Sequence, residues 1–123
     1  MTIEIKQLGL TDYKDTLREM KHFVNQLPTK DQLWITEHHS IYTTGVNKEK
    51  SVIPKTNIPH LFVDRGGKIT YHGPGQLIIY TIIDIKKNNL NIRQLVSLLE
   101  NSIIDFLKKN KIKSYSKIEA PGV

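Results

Sequence analysis

DRGGKITYHGPGQ, from Asp64 to Gln76, leads directly into LIIYTIIDI, from Leu77 to Ile85. The second run is rich in β-branched and aromatic residues, so it predicts a strand, and we place the centre of a sheet there. The first run holds 4 glycines in 13 residues, too many for a strand unless the backbone approaches another group closely. A glycine-rich binding segment beside a buried strand is therefore the expected centre of the protein.

Two tight turns are expected to frame a groove in this segment. The first, at Gly66–Gly67, can adopt positive φ and point backbone N–H groups toward an acceptor, and the second lies at Gly73–Gly75. The residues between them alternate as in an extended strand, so Thr70 and Tyr71 should face opposite sides.

The side chains beside these turns favour binding of a polar or anionic group. Arg65 can bind an anion through two parallel hydrogen bonds, and His72 can donate, accept or transfer a proton near neutral pH. A glycine-rich hairpin with a surface arginine and a hydrogen-bonded histidine explains the spacing equally well. The pattern matches neither a P-loop nor a dinucleotide-binding glycine motif.

Two helices are predicted from apolar residues that recur at helical spacing. The first begins after an N-cap at Thr11 and ends before Pro28. The second begins at a capping box formed by Asn91 and Gln94. The first apolar face comprises Tyr13, Leu17, Met20, Val24 and Leu27, and the second comprises Leu95, Leu98, Leu99, Ile103, Phe106 and Leu107.

Shorter strands are predicted around these helices. Alternation predicts one strand that ends at a break at Gly9, and the stretch Glu37–Pro59 is rich in turn residues and predicts a long irregular loop. The remaining predicted strands are short apolar or alternating runs. The predicted strands, besides the one at 77–85, are Ile3–Leu8, Leu33–Thr36, Leu61–Val63 and Ile112–Tyr115.

Composition is that of a globular protein of one domain, with 38% hydrophobic and 24% charged residues. No run approaches the roughly 18 apolar residues of a membrane helix, and no secretory signal is visible, so we expect a cytoplasmic protein without a membrane partner. The chain has 0 cysteines, which excludes disulfides, thiolate metal sites and a cysteine nucleophile within these residues.

The formal net charge of +6 comes from scattered lysines that concentrate near the second helix and beyond it. These lysines lack interleaved aromatic residues and a recognised motif, so no nucleic-acid partner is predicted. A solvated surface explains them best, and an acidic protein partner is the alternative. The lysines concerned are Lys86, Lys87, Lys108, Lys109, Lys111 and Lys113.

The run RGGKITYHGPGQL closely resembles the signature of the octanoyltransferases, which move an octanoyl group from acyl carrier protein to lipoyl domains. The resemblance extends over essentially the whole chain and includes Gln7, Leu8, Gly9, Glu37, His38, Thr43, Gly45, the second helix and Ala120 to Val123. It implies an α/β (α+β) fold, a mostly antiparallel sheet flanked by helices, shared with biotin and lipoate protein ligases. It also implies a single catalytic domain over residues 1–123, incomplete at its C-terminal end.

The resemblance further implies the substrates and the site. The donor would be octanoyl acyl carrier protein, and the acceptor a lysine on the lipoyl domains of 2-oxoacid dehydrogenase and glycine cleavage complexes. The substrate-binding residues would be Arg65, Gly66, Gly67, Lys68, Ile69, Thr70, Tyr71 and His72. Their backbone N–H groups would help to hold a developing oxyanion.

In this family the octanoyl group passes through a cysteine thioester, assisted by a lysine that follows the APGV motif. Neither residue is present among these 123, so we assign no catalytic residue and expect the chain alone to be inactive. We expect no cofactor and no metal. A non-catalytic module that binds an acyl group or acyl carrier protein is the alternative, and a poorly folded remnant of a split gene is a third interpretation.

Overall fold

A computed structural model describes residues 2–46 and 52–123, which form two compact units, residues 2–83 and residues 84–123. The first unit contains six strands and one helix among its described residues, and the second contains one helix. The elements are β1 (Ile3–Thr11), α1 (Tyr13–Asn25), β2 (Asp31–His38), β3 (Ile41–Thr44), β4 (His60–Phe62), β5 (Ile69–His72), β6 (Ile78–Ile82) and α2 (Ile92–Lys109). The predicted α/β class is confirmed.

The strands of the first unit form two small sheets rather than one. In the first sheet β2 lies between β1, which is parallel to it, and β6, which is antiparallel. In the second, β3 lies between the parallel strand β4 and the antiparallel strand β5. Strand pairing in the described residues is thus mixed, where we predicted a mostly antiparallel sheet.

The centre of the first sheet is β2, so the prediction that the run 77–85 is central was wrong. Within the described part of the chain, β6 pairs only with β2 and lies at an edge. The buried side chains of β2 include Thr36 and His38, which are polar and satisfied by hydrogen bonds. A hydropathy pattern does not reveal a strand whose buried side chains are polar and hydrogen-bonded.

Strand β1 continues past the glycine that was expected to break it. The pairing of β1 with β2 shifts register between Gln7 and Gly9, and Gly9 has a φ of 70°. Glycine adopts this left-handed conformation without steric cost, so the residue forms a bulge within the strand instead of ending it. The strand therefore runs on to Thr11.

Helix α1 begins one residue later than predicted. Asp12 is the N-cap, and its side chain accepts a hydrogen bond from the backbone N–H of Asp15 at 3.1 Å. The hydroxyl of Thr11 instead contacts the hydroxyl of Thr36 at 2.7 Å, because Thr11 belongs to β1. Leu27 was wrongly placed on the apolar face, since it lies beyond the helix with a φ of 51° and an exposure of 85%.

The turn-rich stretch Glu37–Pro59 contains the end of β2 and all of β3, which the sequence did not predict. Residues 47–51 of that predicted loop lie outside the described part. Strand β3 is short and rich in threonine, and Thr43 and Thr44 are both 0% exposed. Their hydroxyl groups are paired, Thr43 with Thr70 at 3.2 Å and Thr44 with His60 at 2.6 Å.

Helix α2 has the capping box that the sequence predicts. The side chain of Asn91 accepts from the backbone N–H of Gln94 at 2.8 Å, and the Gln94 side chain accepts from the Asn91 backbone N–H at 2.9 Å. None of its described residues is buried, however, and Phe106 is 63% exposed. Ile112–Tyr115 forms no strand, so that prediction was wrong.

Neither helix among the described residues is both long enough and apolar enough to cross a membrane.

Candidate functional site

The guanidinium group of Arg65 is bonded to the protein's own oxygen atoms. Its Nη2 donates to the carbonyl of Thr43 at 2.7 Å, to the carbonyl of Lys68 at 2.8 Å and to the hydroxyl of Thr70 at 2.8 Å. Its Nε donates to the Thr43 hydroxyl at 3.2 Å, and its Nη1 to the carbonyl of Gly66 at 2.8 Å. Arg65 therefore ties the glycine turn to β3 and β5, and its contact with an anionic group stays a prediction.

The carbonyl groups of the glycine turn also pack directly on Gly45, at the end of β3. A Cβ atom built on Gly45 would lie 2.6 Å from the carbonyl oxygens of Arg65 and Gly67 and 2.9 Å from that of Gly66. The backbone N–H of Val46 donates to the Arg65 carbonyl at 3.0 Å. Glycine is thus required at position 45 by close backbone approach, not by its φ.

Strand β5 presents its successive side chains to different neighbours. Thr70 turns toward Thr43 and Arg65, whereas the hydroxyl of Tyr71 lies 3.0 Å from that of Ser40. The ring of Tyr71 also packs against that of Tyr42, with centroids 5.4 Å apart. The predicted alternation between the two turns is confirmed.

The second turn is held by a carboxylate from β2. Glu37 accepts a hydrogen bond from the backbone N–H of Gly75 at 2.7 Å, and Gly75 has a φ of 87°. In the first turn Gly67 has a φ of 92°, whereas Gly66 is not among the residues with positive φ. Of the two glycines expected to turn the backbone there, one does so.

His72 lies in a cluster of rings that comes from four separate elements. Its ring centroid is 5.4 Å from that of Tyr13 on α1 and 6.0 Å from that of His38 on β2. His38 is 0% exposed, and its Nε2 lies 2.7 Å from the hydroxyl of Tyr80 on β6. The Nδ1 of His38 lies 3.1 Å from the carbonyl of Thr11.

One buried atom of this cluster has no partner. The Nδ1 atom of His72 is buried and makes no hydrogen bond within the protein. A buried polar atom left unpaired costs roughly 1–3 kcal/mol, so such atoms are uncommon unless a ligand or solvent satisfies them. Among the described side chains of segment 65–72, this nitrogen is the buried polar atom without a partner.

Both histidines of the cluster are held neutral. Burial lowers the pKa of His72, and the nearby charges of His38 and Arg65 lower it further. Burial also lowers the pKa of His38, although the Thr11 carbonyl opposes this by accepting a hydrogen bond. Burial raises the pKa of Tyr80 well above its ordinary value, so its hydroxyl stays protonated. The cluster is therefore uncharged near neutral pH.

The structure brings together some of the predicted site residues and leaves others at the surface. The guanidinium group of Arg65 joins Gly66, Lys68 and Thr70 by hydrogen bonds, although the side chains of Lys68 and Thr70 are exposed. His72 belongs to the ring cluster with Tyr13 and His38. Three further residues of the site carried no signal in local spacing, because they come from distant elements. They are Tyr13, Thr43 and Tyr80.

Comparisons with known proteins match this chain along nearly its whole length. The family model of the lipoyl protein ligase A/B catalytic domain matches residues 12–122. Octanoyltransferases of Shewanella frigidimarina and Shewanella oneidensis are 45% and 43% identical to it over 125 residues. Each alignment covers 99% of this chain and 58% of the relative, so the chain spans a little over half the length of these relatives.

Gly45→Ala should destabilise the first unit by roughly 1–3 kcal/mol, because the new methyl group would overlap three backbone carbonyl oxygens of the glycine turn. Gly66→Ala is the matched control, since a Cβ there meets no atom within 4 Å and the φ is not positive. Chemical denaturation of both variants checks this. Equal stability of the two variants would contradict the close approach at Gly45.

The free energy of unfolding should fall as the pH drops below about 6.5, the ordinary pKa of histidine. His38 and His72 have lowered pKa values when folded, so below that pH the unfolded chain binds protons that the folded chain resists. Each histidine contributes at most about 1.4 kcal/mol per pH unit.

Denaturant titrations between pH 8 and pH 5 would measure this slope. Glu4 and Asp64 also have lowered pKa values, but these carboxyl groups take up protons at lower pH. His72→Gln should flatten the slope, because it removes one of the two histidines whose pKa is lowered by folding. An unchanged slope in His72→Gln would show that His72 titrates alike in the folded and unfolded chains.

Proposed function

Because the chain belongs to the lipoyl protein ligase A/B catalytic-domain family, we propose that it forms the acyl-binding part of an octanoyltransferase of lipoate biosynthesis. The observation that carries the proposal is the family match over residues 12–122, which includes all of Arg65 to His72. The relatives that share 42–45% of its residues are named octanoyltransferases. Residues 1–123 then form part of a single catalytic domain, in the cytoplasm.

The donor in this proposal is octanoyl acyl carrier protein, and the acceptors are lysines on lipoyl domains of 2-oxoacid dehydrogenase and glycine cleavage complexes. Residues 65–72 bind the octanoyl group and its thioester carbonyl. Support comes from the glycine turn, which the guanidinium group of Arg65 holds in place, and from the unpaired Nδ1 of His72. A neutral imidazole can donate to a carbonyl oxygen, or accept from a donor, without a charge that must be desolvated.

The transfer itself requires a nucleophile that these residues do not supply. A cysteine thiolate would attack the carrier thioester and release the carrier thiol, and the acceptor lysine would then take the acyl group from the cysteine. The chain has 0 cysteines, so in this proposal the nucleophilic cysteine comes from residues outside these 123. We therefore assign binding, and no bond-making step, to the residues described above.

The 123-residue chain alone should not transfer octanoyl groups from carrier protein to a lipoyl domain. A chimera in which it replaces the matching part of the Shewanella frigidimarina octanoyltransferase should transfer them, because the relative then supplies the remaining residues. Mass spectrometry of the lipoyl domain detects the octanoyl amide.

The unaltered relative is the positive control for that assay. A folded but inactive chimera would contradict the acyl-binding role, and binding of octanoyl carrier protein without transfer would then favour a non-catalytic binding module. Transfer by the isolated chain would contradict the cysteine route.

His72→Gln should weaken binding of an octanoyl thioester by about tenfold or more, because loss of one hydrogen bond inside a buried site costs roughly 1.4 kcal/mol. His39→Gln is the matched control, since His39 is an exposed histidine next to the end of β2. Isothermal titration with a non-hydrolysable octanoyl thioether analogue measures both. Equal affinities of the two variants would contradict the assignment of His72 to the pocket.

A further inference from the structure

The chain just beyond α2 folds back along the helix. Lys111 has a φ of 60°, and the backbone N–H of Ile112 donates to the carbonyl of Leu107 at 2.9 Å. This is the left-handed C-terminal turn that commonly ends helices, here made by a lysine instead of a glycine. The turn places residues 111–114 beside the last turns of the helix.

A cavity of about 320 Å³ lies between these two stretches of chain. Three of its lining residues are lysines with exposed side chains, Lys108, Lys111 and Lys113. Its other lining residues are Ile104, Ile112 and Ser114. We name the surface formed by Lys108, Lys109, Lys111 and Lys113 the α2 lysine surface.

The lysines of the α2 lysine surface have no ion-pair partner within the described part of the chain. Residues 101–118 contain five lysines and a single acidic residue, Asp105. Some of this charge stabilises the C-terminal end of the helix dipole. The charge extends past the helix end to Lys113, however, where the dipole has no further effect.

Two neighbouring features fit a ligand at this surface. The hydroxyl of Ser114 is buried in the cavity wall and has no hydrogen-bond partner, although buried polar groups are normally paired. Apolar side chains also lie exposed beside the lysines, with Phe106 at 63% and Ile112 at 52%. A nucleic-acid backbone would leave these apolar groups uncovered, whereas a protein surface can bury them while pairing its carboxylates with the lysines.

We propose that the α2 lysine surface docks an acidic protein surface, with carboxylates on the lysines, one acceptor on the Ser114 hydroxyl and apolar side chains over Ile112 and Phe106. If the proposed function holds, the partner is the protein that carries the acyl group, and the contact raises its rate of association by charge attraction. This surface lies in residues 84–123, and its residues are not those proposed to bind the acyl group.

The test is binding of purified acyl carrier protein without an acyl group, measured by fluorescence anisotropy at low and moderate salt. Lys108→Glu/Lys111→Glu/Lys113→Glu should weaken binding by about tenfold or more. The control Lys14→Glu/Lys55→Glu/Lys86→Glu makes the same change in net charge at exposed lysines elsewhere and should change the affinity less than about twofold.

Stability must be measured beside binding, because lysines near a helix C-terminus also act on the helix dipole. Lys111→Gln/Lys113→Gln lies outside α2, so it should retain the unfolding midpoint and still weaken carrier binding. Adding Ser114→Ala to this variant should weaken carrier binding by a further few fold. Equal effects of the two triple variants, or lysine-dependent binding of RNA without binding of the carrier, would overturn the proposal.

The test is independent of the proposed function. Loss of octanoyl-thioester binding in His72→Gln concerns the acyl site, whereas an unacylated carrier protein reports on docking alone. Docking that depends on the α2 lysine surface, in a chimera that transfers no octanoyl group, would support this proposal and contradict the acyl-transfer role. Octanoyl transfer that is unaffected by charge reversal at the α2 lysine surface would support the acyl-transfer role and contradict this docking proposal.

Discussion

The arrangement of the first unit depends on the guanidinium group of Arg65, which joins a glycine turn to the two paired strands β3 and β5. It donates to carbonyl and hydroxyl groups of Thr43, 22 residues away, and to groups of Gly66, Lys68 and Thr70 in its own segment. Hydrogen bonds from a charged donor are stronger than neutral ones, and a planar guanidinium fixes the direction of each. The absence of a side chain on Gly45 lets the turn lie close enough for these bonds to form.

The interior around this clamp is polar, which has consequences for both stability and chemistry. Thr16, Thr36, Thr43, Thr44 and His38 are all buried at 2% exposure or less, and each has a hydrogen-bond partner. A network in which nearly every member is paired is rigid and specifies one arrangement, while an unpaired member is costly. Against that background the Nδ1 of His72 stands out as a buried atom without a partner. The burial of this imidazole also lowers its pKa, so the ring is neutral near neutral pH.

The second unit differs from the first, because its charged and apolar side chains are exposed. Helix α2 is well capped at its N-terminus, yet none of its described side chains is buried. Its stability within these residues therefore rests on local bonds and on the return of the chain after Lys111. Exposed apolar groups beside unpaired lysines are the composition expected at a contact surface rather than at a solvated face. The proposed acyl site thus lies in residues 2–83, and the proposed docking surface lies in residues 84–123.

The sequence by itself determined the features whose partners are close along the chain. The capping box joins Asn91 to Gln94, three residues apart, and the alternation in Ile69–His72 follows from the period of a strand, so both were predictable. The signature from Arg65 to Leu77 also identified the family, since it was recognisable without any coordinates. Only the tertiary structure decided that β2 is central and that β3 exists. It also decided that Arg65 binds Thr43, that His72 contacts Tyr13 and His38, and that His38 in turn contacts Tyr80. Those facts depend on strand pairing and on contacts between residues 20 to 60 positions apart in the sequence. Threonines and histidines that are buried with hydrogen-bond partners leave no periodic apolar pattern in the sequence.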